Sequence, residues 1–236
     1  MNAFTRPLIL IAFYLLFFPS MVNAQTGDEV DDWDNVFYYS NKLGWGSDNL
    51  RQTVLVQTRY NDNFKQLEQW FVEYAASFLI TENFEITPDF RFTQKPSRRE
   101  YRPGIGIIYK NLLSKSQIVH QVKWQYDFKE NTADSHAARY AIFYNKAISE
   151  KILASVLAGG IYEWGDNFTG IWGIRAGFNV AYVFNKQHAV GVGWLYGLAN
   201  TKETPTRWTN VGIPTFTLAI NIRKDFKYLP AKYINF

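Results

Sequence analysis

The chain contains no cysteine. That excludes a disulfide framework, a thiolate metal site and a lipid-modified cysteine. Histidine is scarce: His120, His136 and His188 are too scattered for a ligand set, so neither a metal nor a cofactor is expected. Beyond Ala24, no run reaches the roughly 18 apolar residues of a spanning helix. The net charge is only +4, too small to argue for nucleic acid.

What is present begins with a targeting pattern. Arg6 precedes Leu8–Phe18, an apolar run of about ten residues, followed by Pro19 and Val22-Asn23-Ala24. This reads as a secretory signal peptide, residues 1–24, cut after Ala24; the run is too short for a membrane anchor. Residues 25–49 form a polar N-terminal segment. Its acidic part (Asp28, Glu29, Asp31, Asp32, Asp34) reads as a solvated tail, and Val36–Leu43 as a short strand. Residues 50–236 remain for one barrel.

Aromatic residues make up 18% of the chain, and they alternate with polar ones. From Asn83 to Gln94, Phe84, Ile86, Pro88, Phe90 and Phe92 form one face. Glu85, Thr87, Asp89, Arg91 and Thr93 form the other. A period of two is a strand with one apolar and one polar face. Pro88 cannot donate to a ladder and marks a local defect. Ten such segments follow one another from Leu50, each near the length of a tilted spanning strand. Short and long connections alternate between them, as in membrane barrels. The expectation is an all-β protein, a closed antiparallel transmembrane barrel of about ten strands. The segment before Leu50 is left outside the count or paired only in part. The alternative is a twelve-strand closure that uses 36–43 and the C-terminus.

Two features put the polar face inside. Glycines (Gly104, Gly106, Gly173, Gly177, Gly191, Gly193) lie on it, as a crowded lumen needs. The apolar face carries more bulk than a small barrel can hold, whereas lipid has room for it. The lipid-facing aromatics are then Trp70, Tyr74, Trp124, Tyr126, Trp172, Tyr182, Trp194 and Tyr196, with several towards strand ends. The lumen charge network is Arg51, Arg59, Glu73, Glu85, Asp89, Arg91, Glu100, Arg102, Lys123, Asp127, Arg139, Arg175 and Arg223. Both signs sit on neighbouring strands, so paired charges filling the lumen are favoured over a narrow, anion-favouring path.

Stretches such as Gln57-Thr58-Arg59-Tyr60, Gln69 to Tyr74, Arg91 to Lys95, Gln121 to Gln125 and Arg139 to Tyr144 carry a resemblance. Over roughly 35 to 222 the chain resembles the small bacterial outer-membrane β-barrels catalogued as domain of unknown function twenty-four ninety. That resemblance implies a Gram-negative outer-membrane barrel with no assigned activity. The chain also ends in Phe236, as many such barrels do, although Pro230 and Lys232 interrupt the alternation there.

The functional expectation is an integral outer-membrane barrel of unassigned activity, either structural or a narrow porin-like pore. Its partners would be outer-membrane lipids, the barrel-assembly machinery and, if the lumen conducts, small solutes. A lipid-modifying enzyme is the first alternative. Ser135 and His136 are neighbours on a chain whose successive side chains diverge, so no catalytic residues are expected. A soluble secreted ligand-binding barrel is the second.

Overall fold

A computed structural model describes residues 33–61, 64–114, 116–184, 188–202 and 207–221, all within the unit Asp32–Phe236. The expected signal peptide, Arg223 and Phe236 lie outside these residues.

The most regular alternating stretch forms a strand, Phe84–Gln94. Glu85, Thr87, Asp89, Arg91 and Thr93 are buried, while Phe90 on the opposite face is 46% exposed. The polar face therefore turns inward and the apolar face outward. In chain order the strands are β1 (in two pieces, Trp33–Asn35 and Phe37–Gly46), β2 Leu50–Asn61, β3 Gln66–Thr81 and β4 Phe84–Gln94. They continue with β5 Arg99–Leu113, β6 Ser116–Lys129, β7 Ser135–Ala147 and β8 Ile152–Gly165. The last three are β9 Thr169–Val183, β10 His188–Asn200 and β11 Trp208–Asn221.

Each strand pairs antiparallel with the next, and β11 returns to pair with β1. The closing pair is parallel. Trp33 faces Asn210 and Tyr38 faces Thr215 at one constant offset. Between them, the Val36 N–H donates to the Gly212 carbonyl at 3.0 Å. The two pieces of β1 are thus one strand, and among the described residues the barrel has eleven. This corrects the count of ten, and the segment left outside it is the closing strand. With an odd number of strands each antiparallel to the next, the last runs the same way as the first, so the seam has to be parallel. The twelve-strand alternative relied on the C-terminus, beyond the described residues.

Two local breaks matter. The β3–β4 ladder skips the positions of Thr87 and Pro88, where Pro88 has no N–H to give. Between β8 and β9 the register shifts from Ile171↔Tyr162 to Gly173↔Ile161. Trp172 is the extra residue of that bulge. Ile171 and Ile174 point outward, 48% and 47% exposed, whereas Trp172 packs against the buried core. Its expected place on the lipid-facing side is therefore wrong: a bulge re-aims a side chain that strict alternation would send out.

The interior holds more than charge. Tyr38, Ile108, Val119, Phe143, Leu157 and Leu195 belong to a buried apolar cluster contributed by strands around the barrel. Phe71 and Phe143 are fully buried, as are Lys110 and Thr87. A small barrel's interior is just wide enough for side chains to fill it.

Candidate functional site

The inner wall from β3 to β6 carries three buried ion pairs. Arg91 Nε donates to Glu73 Oε2 at 2.8 Å, between residues directly opposite on β4 and β3. Lys110 Nζ donates to Glu85 Oε1 at 2.6 Å, and Lys123 Nζ to Asp89 Oδ1 at 2.6 Å. The six side chains are no more than 4% exposed. The last pair reaches from β4 to β6 across β5, over Gly104. A Cβ there would lie 2.7 Å from Lys123 Cε and 3.0 Å from an Asp89 carboxylate oxygen. This is what a glycine on the polar face does in this barrel.

Arg59 behaves differently from its expected role as a carboxylate partner. Its Nε donates to Gln57 Oε1 at 2.9 Å. Its guanidinium lies 4.2 Å from the Tyr38 ring centre and 5.2 Å from that of Phe71. Arg91 covers Phe71 as well, at 3.9 Å. One aromatic ring thus serves two cations, which prefer its π-face when desolvated. Arg139 is buried on the inner face of β7, and Arg51 and Arg175 are half-buried on those of β2 and β9. The glycines of the later strands lie against side chains of neighbouring strands. Gly191 and Gly193 face the Asn179 side chain, Gly177 faces Leu195, and Gly197 faces Arg175.

The long-connection end of the interior widens into a vestibule of about 80 Å³. Glu100 accepts from Arg98 Nε at 2.8 Å and lies 2.9 Å from Lys95 Nζ. Arg102 donates to Asp127. Glu163 accepts from Lys202 Nζ at 2.7 Å and from Lys129 Nζ at 3.4 Å. On its loop, Lys95 has a lowered pKa: burial disfavours its charge, and Glu100 pulls the other way. Arg139 and Trp172 also line the vestibule. Glu100, Arg102, Asp127 and Arg139 were expected in the lumen; Lys95, Arg98, Lys129, Glu163 and Lys202 were not. Lys110 was also missed, although it shares its parity with Glu100 and Arg102. The lysines of the connections offer no periodic signal.

On the outer face, Trp70, Tyr74, Trp124 and Tyr182 are 36%, 41%, 44% and 42% exposed. Tyr126, Trp194 and Tyr196 are half-buried on the same face. Trp194 is the middle residue of β10 rather than near an end. An aromatic ladder crosses three strands here: His136 stacks on Trp124 at 5.7 Å and on Trp164 at 5.6 Å. Ser135 points the other way, into the barrel, where it accepts from Lys129 Nζ at 2.7 Å. His120 contacts the Tyr140 hydroxyl at 2.9 Å on the outer face. Serine and histidine therefore do not converge as nucleophile and base. Among the described residues, no group of His, Asp and Glu is arranged to hold a metal.

A closed barrel with charges inside and aromatics outside is the kind whose strands cross a membrane. Among families, the chain belongs to the one described as "Protein of unknown function (DUF2490)", whose model matches residues 33–209. No curated protein matches the chain. Among solved structures, it is similar to the NanC porin in a rhombohedral crystal form. There the TM-score is 0.47 at 8% identity, over 69% of this chain and 86% of that one. It is also similar to the KdgM porin in complex with disordered oligogalacturonate, with a TM-score of 0.40 at 14% identity, over 75% of this chain and 96% of that one.

Proposed function

We propose that this protein is exported through a cleaved signal peptide, residues 1–24, and spans the bacterial outer membrane as a barrel closed at rest. One observation carries the reading: the inversion of its two faces. Ile107, Val122 and Val192 are 47%, 52% and 54% exposed, while Arg91 and Lys123 are 2% and 1% exposed. In water, such an outer surface would be a very large apolar patch. In lipid it is the expected surface, and the closed ladder leaves no strand edge unpaired.

The interior supports a narrow or closed path rather than a wide one. Paired charges line its wall from β3 to β6, and a buried apolar cluster packs beside them. Outer-membrane lipids are then the immediate partners, the barrel-assembly machinery inserts the chain, and any solute that passes is small. This reading makes the protein a pore or structural barrel; the lipid-modifying alternative would need Ser135 and His136 to converge, and they lie on opposite faces. The test is solubility first: the mature chain needs detergent to stay monodisperse. A soluble monomer without detergent would favour the secreted binding barrel instead.

A further inference from the structure

We propose that the vestibule at the long-connection end is a binding site for a small carboxylate-bearing solute. Three observations meet there. The first is charge. Six cations line it (Lys95, Arg98, Arg102, Lys129, Arg139 and Lys202), against three carboxylates, those of Glu100, Asp127 and Glu163. Glu100 and Glu163 each bind more than one cation. Arg102 and Lys129 are 13% and 14% exposed, and Lys95, Arg98 and Lys202 are 27%, 32% and 32%, so the surplus is gathered in a partly buried recess. Like charges held together there repel, and a bound anion relieves that repulsion.

The second observation is Trp172. The bulge between Ile171 and Gly173 takes it out of the outer face and into the vestibule wall. Lys202 Nζ lies 5.2 Å from its ring centre and 5.4 Å from that of Phe168. A bulge that re-aims an indole beside a charged cavity is a feature of binding sites. The third is backbone strain. Lys202 has a φ of 62°, a left-handed conformation that a lysine adopts at a cost. It is held there by its own N–H, which donates to Asn200 Oδ1 at 2.8 Å. Its ammonium is thereby brought to Glu163 and Trp172.

The ligand's chemistry follows from these parts. A carboxylate head suits the guanidinium forks and ammonium groups. A short stem can lie against the indole. The vestibule's volume, about 80 Å³, compares with roughly 10–15 Å³ needed for one water, so it takes the carboxylate head and the first carbons of the stem that carries it. This site depends on the barrel's inward register but not on conduction.

The test is calorimetric titration of the full mature barrel in detergent with gluconate, with its uncharged counterpart sorbitol and with inorganic phosphate. Gluconate should bind saturably and more weakly at high salt, and sorbitol should not bind. Lys202→Met should weaken gluconate binding about tenfold, as a lost charge-assisted contact does. Arg98→Gln, on the connection between β4 and β5, leaves Glu100 paired with Lys95 and should weaken it several-fold. The proposal is overturned by equal heats for gluconate and sorbitol, or by affinity unchanged in both variants. Phosphate binding as tightly as gluconate would overturn the carboxylate preference. Because the titration reads binding alone, a barrel that binds gluconate but never conducts would sink the pore reading and leave this site standing.

Discussion

Lys123 reaches Asp89 across an entire intervening strand, and it does so over Gly104, the position where a side chain would collide with both. Gly104→Ala should therefore force the pair apart. A cost of about 1–3 kcal/mol is expected, as for overpacking elsewhere. Gly160→Ala, whose new Cβ would find its nearest neighbour at 3.5 Å, should cost far less. Urea unfolding of the two variants in the same detergent gives the comparison.

The pair between Glu85 and Lys110 allows a sharper test of burial. Glu85→Leu alone takes a carboxylate partner from a fully buried ammonium and should destabilise by about 3–5 kcal/mol. Removing both charges, with Glu85→Leu and Lys110→Met together, should restore much of that loss. If the double variant were as unstable as the sum of the singles, the ion pair would not be a coupled buried unit.

The parallel seam can be tested with cysteines, because the chain has none of its own. Ser40 faces Thr217 across it. Ser40→Cys with Thr217→Cys should form a disulfide in the folded barrel, since paired strand positions fall within the Cα separations that a disulfide tolerates. Ser40→Cys with Gln57→Cys, an antiparallel pair on the other side of β1, is the control. Electrophoresis without reductant reads both. A crosslink in the control alone would mean that β1 is not the closing strand.

On the outer face, Ile107→Arg and Phe178→Arg should each cost on the order of 2–4 kcal/mol near the middle of the bilayer. Trp172→Arg should behave otherwise. It adds a cation to the vestibule rather than to lipid, so its penalty should shrink as salt rises. A salt-independent penalty at Trp172 equal to those at Ile107 and Phe178 would put the indole back on the outer face.

Much of the fold was legible because one face of each strand is buried, which fixes its parity. The stretch from Phe84 to Gln94 is the clearest case, and its inward charges lie where alternation put them. The same parity places Phe71 beside Gln69 and Glu73 inside, so the apolar part of the interior is carried by the alternation too. Three things were not legible. Alternation identifies strands but carries no record of which strand closes on which, so it marks Val36–Leu43 as a strand without giving its place at the seam. It also assumes an unbroken period, so one extra residue sent Trp172 to the wrong face. Finally, Lys95 and Lys202 come from connections, where no period exists to read.

The most direct measurement is single-channel recording in a planar bilayer, with the wild type beside a variant carrying Glu73→Ala, Glu85→Ala and Asp89→Ala. The wild type should be silent or open only briefly, because Arg91, Lys110 and Lys123 are held in buried pairs on the inner wall. The variant removes the carboxylates that these three cations face, and it should show a measurable or noisy path. A wild type that conducts steadily, like an open porin, would contradict a barrel closed by its own charges.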